Sequence, residues 1–282
     1  MLGSALSEHW LRLGAEVWRT SRRAGPRYTS IRLDLSEPEN AWGPLPSCRT
    51  AVICAGITSL DECRRDPDGT RRINVLQTLA LARRLAGEGV FLVYLSTNLV
   101  FDGSKPCPQP DEPVSPRTEY GRQKAEVEAG LAKIGSRHAI VRLTKVIYPG
   151  LPLLLGWRGA LNDGRSITPF SDKMVAPISL RNVLQGVAAV TERELEGVWQ
   201  FSPANDVSYA EIATSLGELI SAPRALIKPV RAPLVESETL PRYGTLDASR
   251  PIRELNLDFH AWAQVVSEIG AGWGYSSGLL SR

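Results

Sequence analysis

The sequence predicts an α/β protein organised on a parallel sheet, with a smaller and less regular C-terminal part. Residues 90–95 form an unbroken apolar run, Val-Phe-Leu-Val-Tyr-Leu, rich in β-branched and aromatic side chains. Such a run suits a strand covered on both faces. Between residues 15 and 147 strand-like runs alternate with helical stripes, the pattern that yields parallel strands joined by helices. From Pro149 onward this alternation weakens. The expected regions are therefore 1–147 and 148–282, the second partly interleaved with the first.

Taken in order, Leu2, Leu6, Trp10 and Leu13 share one helical face, closed by Gly14. Residues 15–20 and 30–35 read as strands. Residues 51–58 read as a buried strand ending in small side chains, Ala55 and Gly56, which let a ligand approach the backbone or serve helix packing. Ile73, Leu76, Leu79 and Ala80 form a helical stripe expected in the core. After the 90–95 strand, Ser115-Pro116 is the expected N-cap and first helical position. A helix is expected over about 120–134, because Tyr120, Lys124, Val127, Leu131 and Ile134 recur at spacings of four and three. Residues 138–143 read as a strand, 180–190 as a helix, 199–202 as a short strand and 208–220 as an amphipathic helix. The glycine- and serine-rich end, 270–282, is expected to fray.

With 282 residues, the chain is long enough for a sizeable core. Its 33 basic against 30 acidic residues, a net charge of +3, argue against a nucleic-acid partner. Basic pairs such as Arg64-Arg65 and Arg71-Arg72 read as solvated faces. Cys48, Cys54, Cys63 and Cys107 lack C-x-x-C spacing, and with three histidines they argue against a zinc site, so no metal is expected. No apolar run approaches the roughly 20 residues of a membrane span, and no signal peptide opens the chain. A reduced, cytoplasmic setting without a membrane partner is expected.

The chemistry concentrates where the 90–95 strand ends. Ligands of parallel sheets sit beyond the carboxyl ends of the strands, which is where the Ser96 and Thr97 hydroxyls fall. A free phenol, with a pKa of about 10, exchanges protons sluggishly at neutral pH. Four residues apart on a helix, Lys124 would meet Tyr120 and favour its phenolate. A strand-end hydroxyl would then hold a substrate oxygen while Tyr120 exchanges a proton with it. The plain alternative is a packed tyrosine and a lysine reaching to water.

The stretch Ser96-Thr97-Asn98-Leu99-Val100-Phe101-Asp102-Gly103, followed by Tyr120-Gly121-Arg122-Gln123-Lys124, resembles the extended short-chain dehydrogenase/reductases. Within them it is most similar to the dTDP-4-dehydrorhamnose reductase group, with its S-T-D-x-V-F-D-G and Y-G-x-x-K pattern. Asn98 stands where that group usually has Asp, which keeps a hydrogen-bonding site and removes a charge. The segments Thr58-Ser59-Leu60-Asp61-Glu62-Cys63 with Asn74, and Arg242, Leu246 and Asp247, echo further motifs of the group. The resemblance is strongest over 51–147 and looser beyond.

The resemblance implies a Rossmann-type, doubly wound parallel sheet with a smaller C-terminal substrate domain, and Thr97, Tyr120 and Lys124 as the catalytic triad. It implies that Ala55, Gly56, Ile57, Asp34 and Leu35 border the cofactor together with Tyr120 and Lys124. A cap or turn role for Asp34 is the alternative. The group's first strand and G-x-x-G-x-x-G turn are not found, and Gly3 matches only the last glycine. A start later than the family's, or weakened cofactor affinity, would account for this. Arg22 and Arg23 follow the 15–20 strand where an acid would bind the ribose of NAD, and arginine there suits the 2′-phosphate of NADP. NADP is therefore expected, with NAD as the alternative, and an exposed basic turn is the plain reading.

Thr97, Asn98, Lys145 and Arg242 are the expected substrate contacts. Lys145 replaces an aromatic residue of the group and would grip a diphosphate or point to solvent. Arg242 would meet a phosphate or lie on the surface. The implied activity is NADP-dependent reduction of a nucleotide-linked 4-keto-6-deoxy sugar, with a nucleotide sugar as partner and a homodimer left open. The alternatives are an epimerase or dehydratase of the same superfamily, or a non-catalytic nucleotide-sugar-binding or regulatory subunit.

Overall fold

The computed structural model describes residues 2–23, 30–233 and 241–275. Part of the expected 229–249 loop and residues 276–282 of the expected frayed tail lie outside them, while residues 270–273 of that tail are the last turn of a helix, Trp262–Trp273, with Gly270 buried. The chain divides into two compact units. Unit 1 comprises Met1–Phe101, Pro113–Arg142 and Leu184–Trp199, and unit 2 comprises Asp102–Glu112, Leu143–Val183 and Gln200–Arg282.

In chain order the elements are α1 (Leu2–Arg12), β1 (Arg19–Ser21), β2 (Ser30–Arg32), β3 (Thr50–Ile53), α2 (Leu60–Arg65), α3 (Pro67–Arg71), α4 (Thr78–Gly87), β4 (Phe91–Thr97), α5 (Glu119–Ile134), β5 (His138–Leu143), β6 (Lys145–Ile147), α6 (Pro152–Asn162), β7 (Met174–Val175), β8 (Pro177–Ser179), α7 (Leu180–Glu192), β9 (Gly197–Phe201), β10 (Val207–Ser208), α8 (Tyr209–Leu219), α9 (Ser249–Leu255) and α10 (Trp262–Trp273). A π-helical turn, Arg72–Gln77, joins α3 to α4.

The main sheet has the order β3-β4-β5-β9, with β3 and β4 parallel. All seven residues of β4 are buried, as an uninterrupted apolar run requires. Each fully buried Val, Leu or Phe there contributes roughly 1.5–3 kcal/mol. The cluster below it joins Leu92 and Tyr94 of β4 to Val75, Leu79 and Leu85 from the α4 side, and to Val127 and Leu131 of α5. This is the apolar face predicted for the 120–134 helix.

β1 and β2 pair in parallel as a separate two-stranded sheet. The strand expected at 15–20 is therefore only Arg19–Ser21, and that expected at 30–35 ends at Arg32. Chain direction changes after Arg32 because the Asp34 carboxylate accepts from the Ser36 N–H and hydroxyl, at 2.9 and 2.8 Å. On α1, Leu6 is buried but Leu13 is 66% exposed. Gly14, at φ 80°, turns the chain so that the apolar stripe stops short of Leu13.

Unit 2 has its own core, where Ile147 and Leu154 meet Ile212 and Leu216 of α8 and Val265, Val266 and Ile269 of α10. Helix α8 starts with a capping box: the Ser208 side chain accepts from the Glu211 N–H, and the Glu211 carboxylate accepts from the Ser208 N–H. Small sheets, β6 with β8 and β7 with β10, replace the regular alternation of the first half.

Candidate functional site

In unit 1 the end of β4 and the start of α5 are held together by local chemistry. Thr97 caps the short turn after β4, its hydroxyl accepting from the Leu99 N–H at 3.2 Å and lying 3.4 Å from the Asn98 side-chain oxygen. The N-cap of α5 is Thr118, whose hydroxyl accepts from the Gly121 N–H at 3.0 Å. This corrects the expected cap: the Ser115 N–H instead donates to the Val100 carbonyl at 2.8 Å, so residues 115–118 run beside the post-β4 turn before the helix begins.

Gly121 is the hinge of this packing. A Cβ there would come within 2.1 Å of the Leu99 carbonyl oxygen, so only glycine lets α5 sit this close to the strand exit. Tyr120 and Lys124 are carried to the same place, with the Lys124 ammonium 5.7 Å from the Tyr120 ring centre. The ammonium also lies 4.5 Å over the Tyr94 ring and donates to the Leu95 carbonyl at 2.7 Å.

The electrostatics depart from the expectation that Lys124 makes Tyr120 acidic. Burial, with a smaller contribution from Cys63, holds the Tyr120 phenol well above its ordinary pKa. Burial also pushes Lys124 down to about 8, opposed by the acidic groups of Cys54, Glu128 and Cys63. The ammonium donates to the Leu95 carbonyl, and desolvation sets the direction of the phenol's shift. Tyr120 is thus a protonated phenol at neutral pH, its proton held more tightly than that of a free phenol.

One turn further along α5, Glu128 and Arg142 form a buried ion pair at 2.7 Å, and Ser96 donates to the same carboxylate at 2.5 Å. The Arg142 guanidinium lies 5.0 Å from the Phe101 ring centre. The K-x-x-x-E spacing was visible in the sequence, but nothing there marked Arg142 as its partner.

The residues expected to border the cofactor fall as follows. Ala55 and Gly56 are exposed beyond β3, and Gly56 has a φ of 156°. The Ile57 peptide is gripped by Asn74, which accepts from its N–H at 2.7 Å and donates to its carbonyl at 2.9 Å. Gly3 lies in α1, where an added Cβ would make ordinary contact with Cys54 at 3.5 Å. Arg22 and Arg23 are exposed at the exit of β1. Leu35 is buried in the core, and Asp34 makes the turn described above. The hydrogen bonds from Ser36 lower the Asp34 pKa.

In unit 2, Lys145 begins β6 and is exposed. Arg242 lines a cavity of about 380 Å³ with Met174, Asn205, Asp206, Tyr243 and Thr245, and its guanidinium stacks 5.3 Å from the Tyr243 ring centre. Asp206 accepts from the Gly244 N–H at 2.8 Å. Its partial burial raises its pKa despite the hydrogen bonds from Gly244 and Thr245. Gly103, at φ 66°, is required beside this cavity, because a Cβ would collide with Pro241. No cluster of metal-ligating side chains occurs among the described residues, and none of their helices is long and apolar enough to cross a membrane.

A parallel α/β sheet whose hydroxyl-bearing strand exit is packed on a Tyr-x-x-x-Lys helix defines a Rossmann-type protein of the extended short-chain dehydrogenase/reductase superfamily. The family model described as RmlD substrate binding domain matches residues 1–271, and the chain belongs to that family. It is similar to the dTDP-4-dehydrorhamnose reductase of Streptomyces griseus, with 27% identity over 84% of this chain and 83% of that protein. Methionine adenosyltransferase 2 subunit beta of Bos taurus is 24% identical over 81% of this chain and 72% of that protein. The match to the dTDP-4-dehydrorhamnose reductase of Sinorhizobium fredii, at 28% identity, spans 57% of this chain and 58% of that protein. Among solved structures, MoeE5 in complex with UDP-glucose and NAD aligns with a TM-score of 0.81 at 18% identity, over 96% of this chain and 94% of that one. The dTDP-4-dehydrorhamnose reductase of Bacillus anthracis in complex with NADP aligns with a TM-score of 0.72 at 20% identity, over 79% and 80%.

Proposed function

We propose that the protein reduces the keto group of a nucleotide-linked 4-keto-6-deoxy sugar with NADP(H). The observation that carries this reading is the half-buried, protonated Tyr120 beside Lys124, on a helix that Gly121 seats against the exit of β4. The residues present fit the cofactor at its two ends. Arg22 and Arg23 are exposed where a 2′-phosphate would lie, and Ala55 and Gly56 leave open backbone near the Tyr120 helix. Bound there, NADPH would supply a hydride to the keto carbon.

Tyr120 donates its proton to the developing alkoxide, and Thr97 orients the carbonyl by hydrogen bonding. Lys124 adds positive charge within 5.7 Å of the phenol ring, which favours the phenolate left after proton transfer. Within unit 2, taken by itself, Arg242, Asn205 and Thr245 bring a cation, an amide and a hydroxyl to one cavity, groups that suit a phosphate-bearing ligand. The names of the Streptomyces and Sinorhizobium relatives support the reaction class.

A second reading, a non-catalytic subunit, is favoured by the similarity to methionine adenosyltransferase 2 subunit beta over 81% of this chain. The engagement of Lys124 with the Leu95 carbonyl points the same way. Fluorescence titration with NADPH, followed by turnover of a dTDP-4-keto-6-deoxy sugar, separates the two. Binding with turnover that falls at least about 100-fold in Tyr120→Phe supports the reductase. Binding without turnover supports the subunit, and unchanged turnover in Tyr120→Phe overturns the assigned chemistry.

A further inference from the structure

Gln123 sits between Tyr120 and Lys124 in the sequence, yet its side chain serves a different part of unit 1. It is 1% exposed. Its Nε2 donates to the Thr70 hydroxyl at 2.9 Å, with the Pro67 carbonyl at 3.3 Å and the Glu119 carboxylate at 3.2 Å as further acceptors. Its Oε1 accepts from Asn74 Nδ2 at 2.8 Å. Asn74, inside the π-helical turn, in turn closes both hydrogen bonds on the Ile57 peptide.

The direction of every bond in this chain is determined. Thr70 spends its proton on the Asp66 carbonyl at 2.7 Å, so its oxygen is left to accept, and only the NH₂ end of Gln123 can face it. The Gln123 oxygen must then face Asn74 and demand an N–H from it. That places the Asn74 oxygen against the Ile57 N–H, the only orientation in which Asn74 can accept from that amide while donating to the Ile57 carbonyl. A flipped Asn74 would set donor against donor at Ile57 and acceptor against acceptor at Gln123.

We infer that Gln123 is a positioning residue: through the orientation it imposes on Asn74, it locks the turn after β3 to the helix that carries Tyr120 and Lys124. Gly56 belongs to the same lock, since a Cβ there would lie 3.1 Å from the Asn74 oxygen. The turn whose backbone would face the nicotinamide, and the helix that would supply the proton, are thereby held in one register. This kinetic consequence rests on the proposed reductase reading; the mechanical lock does not.

The test is amide hydrogen exchange at Ile57, with the strand 138–143 as internal reference, in Gln123→Met, Asn74→Leu and the double variant. Loss of the lock should speed Ile57 exchange by about tenfold in either single variant, with no further gain in the double and no change in 138–143. Thr70→Val, which removes the acceptor that orients Gln123, should move Ile57 in the same direction by less, and it serves if the larger changes unfold the protein. NADPH KM should rise several-fold with a smaller change in kcat. Unchanged Ile57 exchange in folded Gln123→Met or Thr70→Val, or additive effects in the double variant, would overturn the inference. Failure of the parent to bind NADPH would instead count against the reductase reading and leave the exchange result standing.

Discussion

Gly121 rests against the carbonyl of Leu99, so closely that the first carbon of any side chain would stand 2.1 Å from that oxygen. The contact is backbone on backbone, with no flexible group to yield. Gly121→Ala should therefore cost about 1–3 kcal/mol, as overpacking does, and lower the melting temperature by several degrees. Gly130, also on α5, offers the contrast: the nearest atoms its Cβ would meet belong to the Leu79 side chain, whose methyl groups lie at 2.6 Å and can move. Gly130→Ala should cost less, and equal melting temperatures for the two variants would refute this account of the Y-G pairing.

Burial of Lys124 makes stability depend on pH. Its folded pKa is about 8, below the unfolded value of about 10.4, so between these limits the unfolded chain holds more protons. Stability contributed by this group therefore rises with pH across that window and is lost as pH falls through about 8. The full effect is on the order of 2–4 kcal/mol. Lys124→Met should flatten the rise, read from urea unfolding at a series of pH values. A profile identical to the parent would contradict the assignment.

The Glu128 and Arg142 pair, 7% and 4% exposed, behaves differently when broken than when removed. Glu128→Ala leaves a buried guanidinium without its carboxylate and should cost about 3–5 kcal/mol. The double change Glu128→Leu with Arg142→Met should cost much less than the sum of the single changes. Chemical denaturation of all variants gives the coupling energy, and an additive result would show that the pair is not coupled.

Cysteine chemistry should be selective. Cys107 is exposed, Cys63 is fully buried, and burial pushes the Cys54 thiol up to about 11. The thiolate is the reactive form, so at pH 7.5 iodoacetamide should label Cys107 first by intact-mass and peptide mapping. Rapid labelling of Cys54 in the native protein would contradict the shielding of the thiol just after β3.

Where neighbours in sequence decide the structure, the sequence was readable. The strand through residues 91–97, the helix through 120–134, the capped start of α8 and the strand at 138–143 all lie close to where periodicity and capping place them. The misplacements have physical causes. Ser115 was a plausible cap until its N–H went to Val100 across the turn, and the 15–20 strand shortened to three residues in a sheet of two strands. Leu13 kept the helical spacing but lost its partner surface when Gly14 turned the chain.

Sequence alone determined the parallel α/β class and the adjacency of a strand-exit hydroxyl to a Tyr-x-x-x-Lys helix, because the repeat of apolar residues and the spacing along one helix are local properties. Only the tertiary structure decided what those groups are chemically. The phenol of Tyr120 is weakened as an acid rather than strengthened, because its desolvation arises only once the chain has folded around it. The Lys124 ammonium turns to Leu95, 29 positions away, and Gln123 reaches Asn74 across 49. A proton's affinity and an amide's orientation depend on what surrounds them in space, and no spacing along the chain encodes that.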